Sequence, residues 1–336
     1  MARALVLGAT GHIGAHVVRA LLKEGHSVRA GYRSDRYLSV LDGLPLERCR
    51  VDLDTGGGLA DALRGCEWVF HAAGSYPALL SLSPAGQRRD AVVEQAVRTL
   101  NQTLEAIYAS GPKRVVFTSS AAVIRHVSGR LATEADVEPW PLPDTRPLYA
   151  TAKIAMEHAA FAFARRTGLP LLAVNPSVCI GEYDAHAFSG RSVLVFAKRQ
   201  APFVFDHTFN AVYTGDVGIG HVRAAERGQV GERYLLAAED VELPSFARLV
   251  AEEAGVPPPR LRLPLPVVQT AALACEAWAA CSRTEPLFSR RSIHPRSPGA
   301  GLDNRKTREA LGMSWVPVRE AVRRALAWFR LVRMLG

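Results

Sequence analysis

Tyr149 and Lys153 stand four residues apart in the run Tyr149-Ala150-Thr151-Ala152-Lys153. On a helix the two side chains share one face. With eight tyrosines and five lysines in 336 residues, this spacing is expected by chance only about 0.1 times. A free phenol has a pKa of about 10, too high for proton exchange at neutral pH. A neighbouring ammonium favours the phenolate and lowers that value. The pair therefore predicts a phenol that gives a proton to a carbonyl oxygen or takes one from an alcohol. Thr118-Ser119-Ser120 supplies hydroxyls that could bind the same oxygen and stabilise developing charge. Ser120 is the first candidate for that role and Ser119 the second.

A second constellation lies near the amino terminus. Gly8-Ala9-Thr10-Gly11-His12-Ile13-Gly14 is a G-x-x-G-x-x-G run between an apolar strand pattern and a helical one. Gly8 permits a tight turn, Gly11 lets backbone approach a pyrophosphate, and Gly14 lets helix and strand pack closely. Free N–H groups at the helix start, aided by the helix dipole, then hold phosphates, with Thr10, His12 and Ile13 in the same loop. The chain thus predicts a dinucleotide, and the next strand predicts which one. An NAD site places an acid about 20 residues past the loop. Here that stretch reads Tyr32-Arg33-Ser34-Asp35. Arg33, helped by Ser34 or Arg36, suits a 2′-phosphate, so NADP(H) is preferred and NAD(H) is possible. Asp52-Leu53 would lie beside the adenine. His71-Ala72-Ala73-Gly74 would let backbone run close to the cofactor, and Thr118 would border it. Lys153 would also hold the nicotinamide ribose.

These residues need strands that end at one edge. Short apolar runs at Ala4–Leu7, Ser27–Gly31, Arg48–Leu53, Glu67–Ala72, Arg114–Thr118 and Leu171–Asn175 alternate with helical patterns. That rhythm predicts an α/β, Rossmann-type doubly wound parallel sheet, with a smaller carboxyl-terminal substrate lobe. The nucleotide domain is expected at 1–178 plus about 203–238, the lobe at about 179–202 plus 239–336. Ala211–Val217 reads as a strand returning to the sheet and residues 179–202 as loop-like. The last helix, about Val318–Met334, places Val318, Val322, Ala325, Phe329 and Val332 on one face and Arg319, Arg323, Arg324, Arg330 and Arg333 on the other. It reads as a packed surface helix, with a membrane-surface helix as the alternative.

Composition narrows the class. Lys+Arg minus Asp+Glu is 41 − 32, or +9, with 48% apolar residues, values of an ordinary globular protein. Arginines are scattered among acids, without the basic stripe and aromatic partners of a nucleic-acid binder. The positive balance suits a phosphorylated cofactor or an acidic substrate. Five scattered cysteines form no CxxC pair and predict reduced thiols, no metal and a cytoplasmic setting. The most apolar stretch, Leu263 to Cys281, holds Pro264, Pro266, Gln269 and Glu276. It predicts a buried helix and no membrane span.

In order along the chain, the glycine loop, Asp52-Leu53, Thr118-Ser119-Ser120, Tyr149/Lys153, Asn175-Pro176-Ser177 with Gly181, and Val212-Tyr213-Thr214-Gly215-Asp216-Val217 resemble the extended short-chain dehydrogenase/reductase family (the NAD-dependent epimerase/dehydratase superfamily). The pattern is similar to its dihydroflavonol-4-reductase and 3β-hydroxysteroid dehydrogenase branch and to bacterial hopanoid-associated sugar epimerases. The resemblance implies a catalytic set of Ser120, Tyr149 and Lys153. It also implies that Pro176 and Ser177 pass near the nicotinamide, and that a homodimer forms through helices at 88–110 and 149–166. The chain departs from the family at Gln95-Ala96-Val97-Arg98-Thr99, where N-V-x-G-T is common, and at Tyr213, where many members have histidine. The family's sugar-nucleotide enzymes carry an arginine near the position of Phe209, and its dehydratases an Asp-Glu pair after the catalytic hydroxyl, where Ala121-Ala122 stands here.

The expectation is an NADP(H)-dependent ketone or aldehyde reductase for a mid-sized, substantially apolar substrate, lined by Tyr183, Phe188, Phe209 and Tyr213. An NAD-dependent sugar-nucleotide epimerase and a nonenzymatic dinucleotide-sensing regulator stay open as alternatives.

Overall fold

The apolar run at the amino terminus forms β1 (Arg3–Leu7), buried from Ala4 onward, as a strand covered on both faces must be. The computed structural model describes residues 1–74, 89–141, 147–185, 187, 189–282 and 301–335. After β1 come α1 (His12–Lys23), β2 (Ser27–Tyr32), β3 (Glu47–Arg50), α2 (Leu59–Leu63) and β4 (Trp68–His71). Then follow α3 (Arg89–Ala109), β5 (Arg114–Thr118), α4 (Leu148–Thr167) and β6 (Leu171–Pro176). The second half contributes β7 (Val178–Ile180), α5 (Arg191–Ala197), β8 (Phe203–Phe205), β9 (Thr208–Tyr213), α6 (Thr214–Arg227) and β10 (Arg233–Leu236). It ends with β11 (Glu239–Glu242), α7 (Leu243–Ala254), β12 (Leu261–Leu263), α8 (Leu265–Ser282), α9 (Arg305–Leu311) and α10 (Val318–Leu331).

Seven strands make one sheet in the order β3-β2-β1-β4-β5-β6-β10, every pairing parallel. This is the Rossmann-type doubly wound sheet expected from the sequence. The order reverses between β1 and β4, where the crevice for a ligand opens beyond the carboxyl ends of the strands. Val17, Leu21, Val217 and Val222 of α1 and α6 cover one face. Leu100, Leu104, Met156 and Phe163 of α3 and α4 cover the other.

Three local expectations change. The strand read at Ala211–Val217 lies at Thr208–Tyr213 and joins a separate sheet, β11-β9-β7. The outer position beside β6 is taken by β10, with Leu236 opposite Pro176. Residues 179–202 contain most of β7 and all of α5. The latter buries Val193, Leu194 and Phe196 in the lobe core, a periodicity too short to read without its partner. Helix α8, expected to be buried, buries Val268 and Ala272 and exposes Val267, Leu273 and Trp278.

The final helix is packed. Val318, Val322, Ala325 and Phe329 are buried, while Val332, just past the helix end, is exposed. Arg319 pairs with Glu252 and Glu253 of α7 at 2.9 and 2.6 Å. No described helix is long and apolar enough to cross a membrane.

Candidate active site

The amides of Gly8 and Ala9 both donate to the Gly31 carbonyl at 3.0 Å, fastening the turn to the end of β2. Gly8 has φ +83°, and a Cβ there would meet the Ala73 backbone at 2.8 Å. A Cβ on Gly14 would come within 2.1 Å of the Gly8 carbonyl oxygen. Gly14 thus serves the closure of the turn itself. The α1 N-terminus has no acid in its first turn and no side-chain cap, so its amides can take an anion. The side chains of the two intervening residues turn elsewhere. Ile13 packs on the core. His12 bonds Thr214 Oγ1 through Nε2 at 2.9 Å, and its Nδ1 is 3.8 Å from Asp184. Burial holds the His12 pKa below its usual value, against the pull of Asp184 and Glu182.

At the end of β2, Arg33 is 62% exposed and 3.8 Å from Asp54. Ser34 Oγ accepts from the Arg36 amide at 3.3 Å and starts a 3₁₀ turn. Asp52 Oδ1 accepts from the Asp54 amide at 3.0 Å, and Leu53 packs on the sheet core. Asp54 was not legible as a neighbour of Arg33, because the loop after β3 brings them together. Past β4, the Ala72 amide donates to the Leu7 carbonyl at 3.0 Å. Ala73 lies against Gly8, and Gly74 is exposed.

Helix α4 starts after Pro147, putting Tyr149 in its first turn and Lys153 one turn later. Tyr149 is partly buried against Val92, Val93 and Ala152. Lys153 is 1% exposed, and its Nζ donates to the Thr118 carbonyl at 3.0 Å. Burial lowers its pKa, while Tyr149 and Glu157 act in the opposite direction. Thr118 is held from its other end: its hydroxyl lies 2.8 Å from His221 Nε2, whose Nδ1 donates to the Val217 carbonyl at 2.7 Å. That tautomer makes Nε2 the acceptor. Burial pushes His221 down to about 4, so it stays neutral.

Ser120 Oγ accepts from the Ala122 amide at 3.2 Å, which leaves its O–H able to donate. The Ser120 carbonyl accepts from Asn175 Nδ2 at 3.2 Å, and the same amide donates to Glu157 at 2.7 Å. Glu157, fully buried, is matched by Arg233 of β10 at 2.5 Å. Glu157 and His221 escaped the sequence reading. Glu157 continues the fourfold spacing 149, 153, 157, which could have signalled it; nothing local marks His221.

Of the eight side-chain polar atoms buried without a hydrogen-bond partner among the described residues, three are His71 Nδ1, Ser119 Oγ and Ser177 Oγ. They sit at or just beyond the carboxyl ends of β4, β5 and β6. Orphaned polar groups are costly in a protein interior, and here they fit the polar edge of a bound ligand. Pro176 pairs with Leu236, and the Ser177 amide donates to the Leu236 carbonyl at 3.1 Å. The described residues contain no group of three metal-ligating side chains.

The described aromatics expected to line the substrate lie in and beside the lobe core. Phe209 is buried in the lobe core, edge-on to Phe246 at 5.2 Å. Tyr213 is buried too; its hydroxyl donates to Glu182 at 2.7 Å and accepts from Arg324 at 2.9 Å. Tyr183 lies under the Arg19 guanidinium at 3.7 Å and edge-on to His16. Tyr183 and Tyr213 thus pack where α1 meets the carboxyl-terminal lobe. Phe188 lies outside the described residues.

Residues 4–237 match the model of the NAD dependent epimerase/dehydratase family. The chain is 34% identical over 331 residues to sterol demethylase protein B of Methylococcus capsulatus, covering 97% of this chain and 98% of that one. It is 29% identical over 330 residues to a putative dihydroflavonol 4-reductase of Synechocystis, covering 97% and 94%. Among solved structures, a nucleoside-diphosphate-sugar epimerase from Pseudomonas aeruginosa superposes with a TM-score of 0.78 at 26% identity, covering 100% and 99%.

Proposed function

The chain belongs to the NAD dependent epimerase/dehydratase family, the extended short-chain dehydrogenases/reductases, and on that premise we propose an NADP(H)-dependent reductase of a ketone or aldehyde on a mid-sized, apolar substrate. The observation that carries the reading is Lys153, buried and anchored to Thr118 one turn beyond Tyr149, at the carboxyl edge of the sheet. In this reading the Gly8–Gly14 turn and the start of α1 hold the diphosphate. Arg33 and Ser34 hold a 2′-phosphate, Asp52 borders the adenine, and Ala72, Ala73 and Gly74 offer close backbone. His71, Ser119 and Ser177 complete their hydrogen bonding on the nicotinamide side.

A bound dihydronicotinamide supplies hydride to the carbonyl carbon. Tyr149 gives its proton to the carbonyl oxygen. Ser120 donates a hydrogen bond to that oxygen and stabilises the charge that develops there. The Lys153 ammonium then favours the phenolate left on Tyr149. Glu157 and Asn175 hold the Ser120 backbone in register with α4.

Phe209 supports reduction over sugar-nucleotide chemistry, since a buried phenylalanine cannot pair with a diphosphate. The relatives named for sterol demethylation and dihydroflavonol reduction support an apolar carbonyl or alcohol. The epimerase reading is kept by the Pseudomonas neighbour; NAD retained through purification would favour it. The free thiols of Cys49, Cys66, Cys179 and Cys275 support a reducing cytoplasm as the setting. The expected homodimer would form through α3 and α4.

The test is a panel of carbonyl compounds with NADPH and NADH, followed by loss of the reduced-nicotinamide absorbance. NADPH-dependent turnover is expected, and Tyr149→Phe should lower kcat by about 10² or more with NADPH affinity retained. Near-normal turnover of that variant would refute the proton donor.

A further inference from the structure

Glu157 stands one turn beyond Lys153 on α4, as Lys153 stands one turn beyond Tyr149. Residues four apart on a helix are neighbours, with Cβ atoms about 5–6 Å apart. Glu157 and Lys153 are both buried, at 0% and 1% exposure. Both Glu157 oxygens accept hydrogen bonds, Oε2 from Asn175 Nδ2 at 2.7 Å and Oε1 from Arg233 Nε at 2.5 Å. Two accepting oxygens are the pattern of an ionised carboxylate. A buried ion pair adds little net stability over apolar packing of the same volume, so an anion beside the Tyr149/Lys153 pair calls for another reason.

Lys153 supplies that reason. Its Nζ donates to the Thr118 carbonyl, which carries no charge. Burial drives an ammonium to lose its proton unless an opposite charge lies near. Here burial draws Lys153 down, and Tyr149 and Glu157 oppose the fall. Tyr149 opposes it only as a phenolate, because a neutral phenol has no charge to offer. Before proton transfer the task falls to Glu157. The other groups facing the pair do not share it. Burial keeps His71 of β4 and His221 of α6 neutral, both down to about 4, and burial also lowers His158, next to Glu157. Arg89 of α3, which bonds Thr151 Oγ1 at 3.0 Å, is positive. Arg233 is positive too, but its side chain is 22% exposed, so water weakens its field at Lys153. We propose that Glu157 is a positioning residue, a buried carboxylate fixed by Asn175 and Arg233 that keeps Lys153 in its ammonium form for action on Tyr149. The inference deepens the proposed function and rests on it for the use that Tyr149 makes of that ammonium.

The test is the titration of Lys153 in the full chain by nuclear magnetic resonance. The sequence has five lysines, so carbon-13 labelling of lysine gives few Cε signals, and the one lost in Lys153→Met is that of Lys153. In Glu157→Gln, which keeps the shape and removes the charge, Lys153 should hold its proton about tenfold to a thousandfold less tightly, with an unchanged circular dichroism spectrum. Glu157→Asp keeps the charge and shortens the reach to Asn175 and Arg233, and its Lys153 should titrate close to the wild type. Tyr149 and Lys153 titrate as a pair, and loss of the anion lowers the first step whichever of them gives up its proton. The alkaline fall of kcat for carbonyl reduction should therefore begin at lower pH in Glu157→Gln. A Lys153 signal that titrates as in the wild type in folded Glu157→Gln overturns the proposal. A shift as large in Glu157→Asp assigns Glu157 to packing alone and also overturns it. Should Glu157→Gln fail to fold, Glu157→Gln/Arg233→Gln, which strands neither charge, is read by the same criteria. A shifted titration without carbonyl turnover on any substrate supports the role of Glu157 and removes the reductase reading; turnover with an unshifted titration does the reverse.

Discussion

Arg33 sits at the rim with Asp54 3.8 Å away, both sides of the pair well exposed. Exposed pairs of this kind contribute little, so the guanidinium can exchange Asp54 for a bidentate phosphate contact at small cost. Arg33→Ala should raise the KM for NADPH by about tenfold to a hundredfold, with the KM for NADH little changed. Equal effects on the two cofactors would remove Arg33 as the discriminating residue. At this scale the sequence displays Tyr149 and Lys153 because one helix turn separates them. It does not display His221 or Arg233. They come from α6 and β10, well beyond the end of α4 in the chain, and meet Thr118 and Glu157 only through folding.

Helices α1 and α6 approach each other across Gly218. A Cβ there would meet the His16 carbonyl carbon and oxygen at 2.6 Å, and backbone atoms inside a helix cannot swing aside. Gly218→Ala should therefore cost about 1–3 kcal/mol by overpacking, read as a lower melting temperature. Since α1 opens at the glycine turn, weaker dinucleotide binding should accompany the loss. Unchanged melting would show that the two helices separate freely. The strands from β1 to β6 were legible as short segments bounded by helical pattern, all of them largely apolar except β3, the polar Glu47-Arg48-Cys49-Arg50. β7 and α5 were not, and β9 was read displaced toward its carboxyl end, at Ala211–Val217. Their burial depends on the lobe core, where Phe209, Phe246 and Phe329 converge from distant segments.

Across the molecule, His16, His71 and His221 are buried and His12 is largely covered, and desolvation depresses all four pKa values, His71 and His221 to about 4. In the unfolded chain a histidine titrates near 6.5. Between those values the unfolded state binds more protons, so stability rises with pH. The full contribution is present above about pH 6.5 and is lost as pH falls toward 4. Melting temperature should drop steadily from pH 7 to pH 5. His221→Leu should lower it at pH 7 yet flatten its pH dependence. A flat wild-type profile would contradict the burial of these rings. The sequence by itself determined the alternation of strand and helix, the glycine turn and the Tyr-x-x-x-Lys spacing, since each is local and needs only neighbours a few residues away. Only the tertiary structure decided which polar groups are left unpartnered at the sheet edge, which aromatics are core, and that α8 is exposed. Burial is set by residues far apart in the chain, and no local pattern records it.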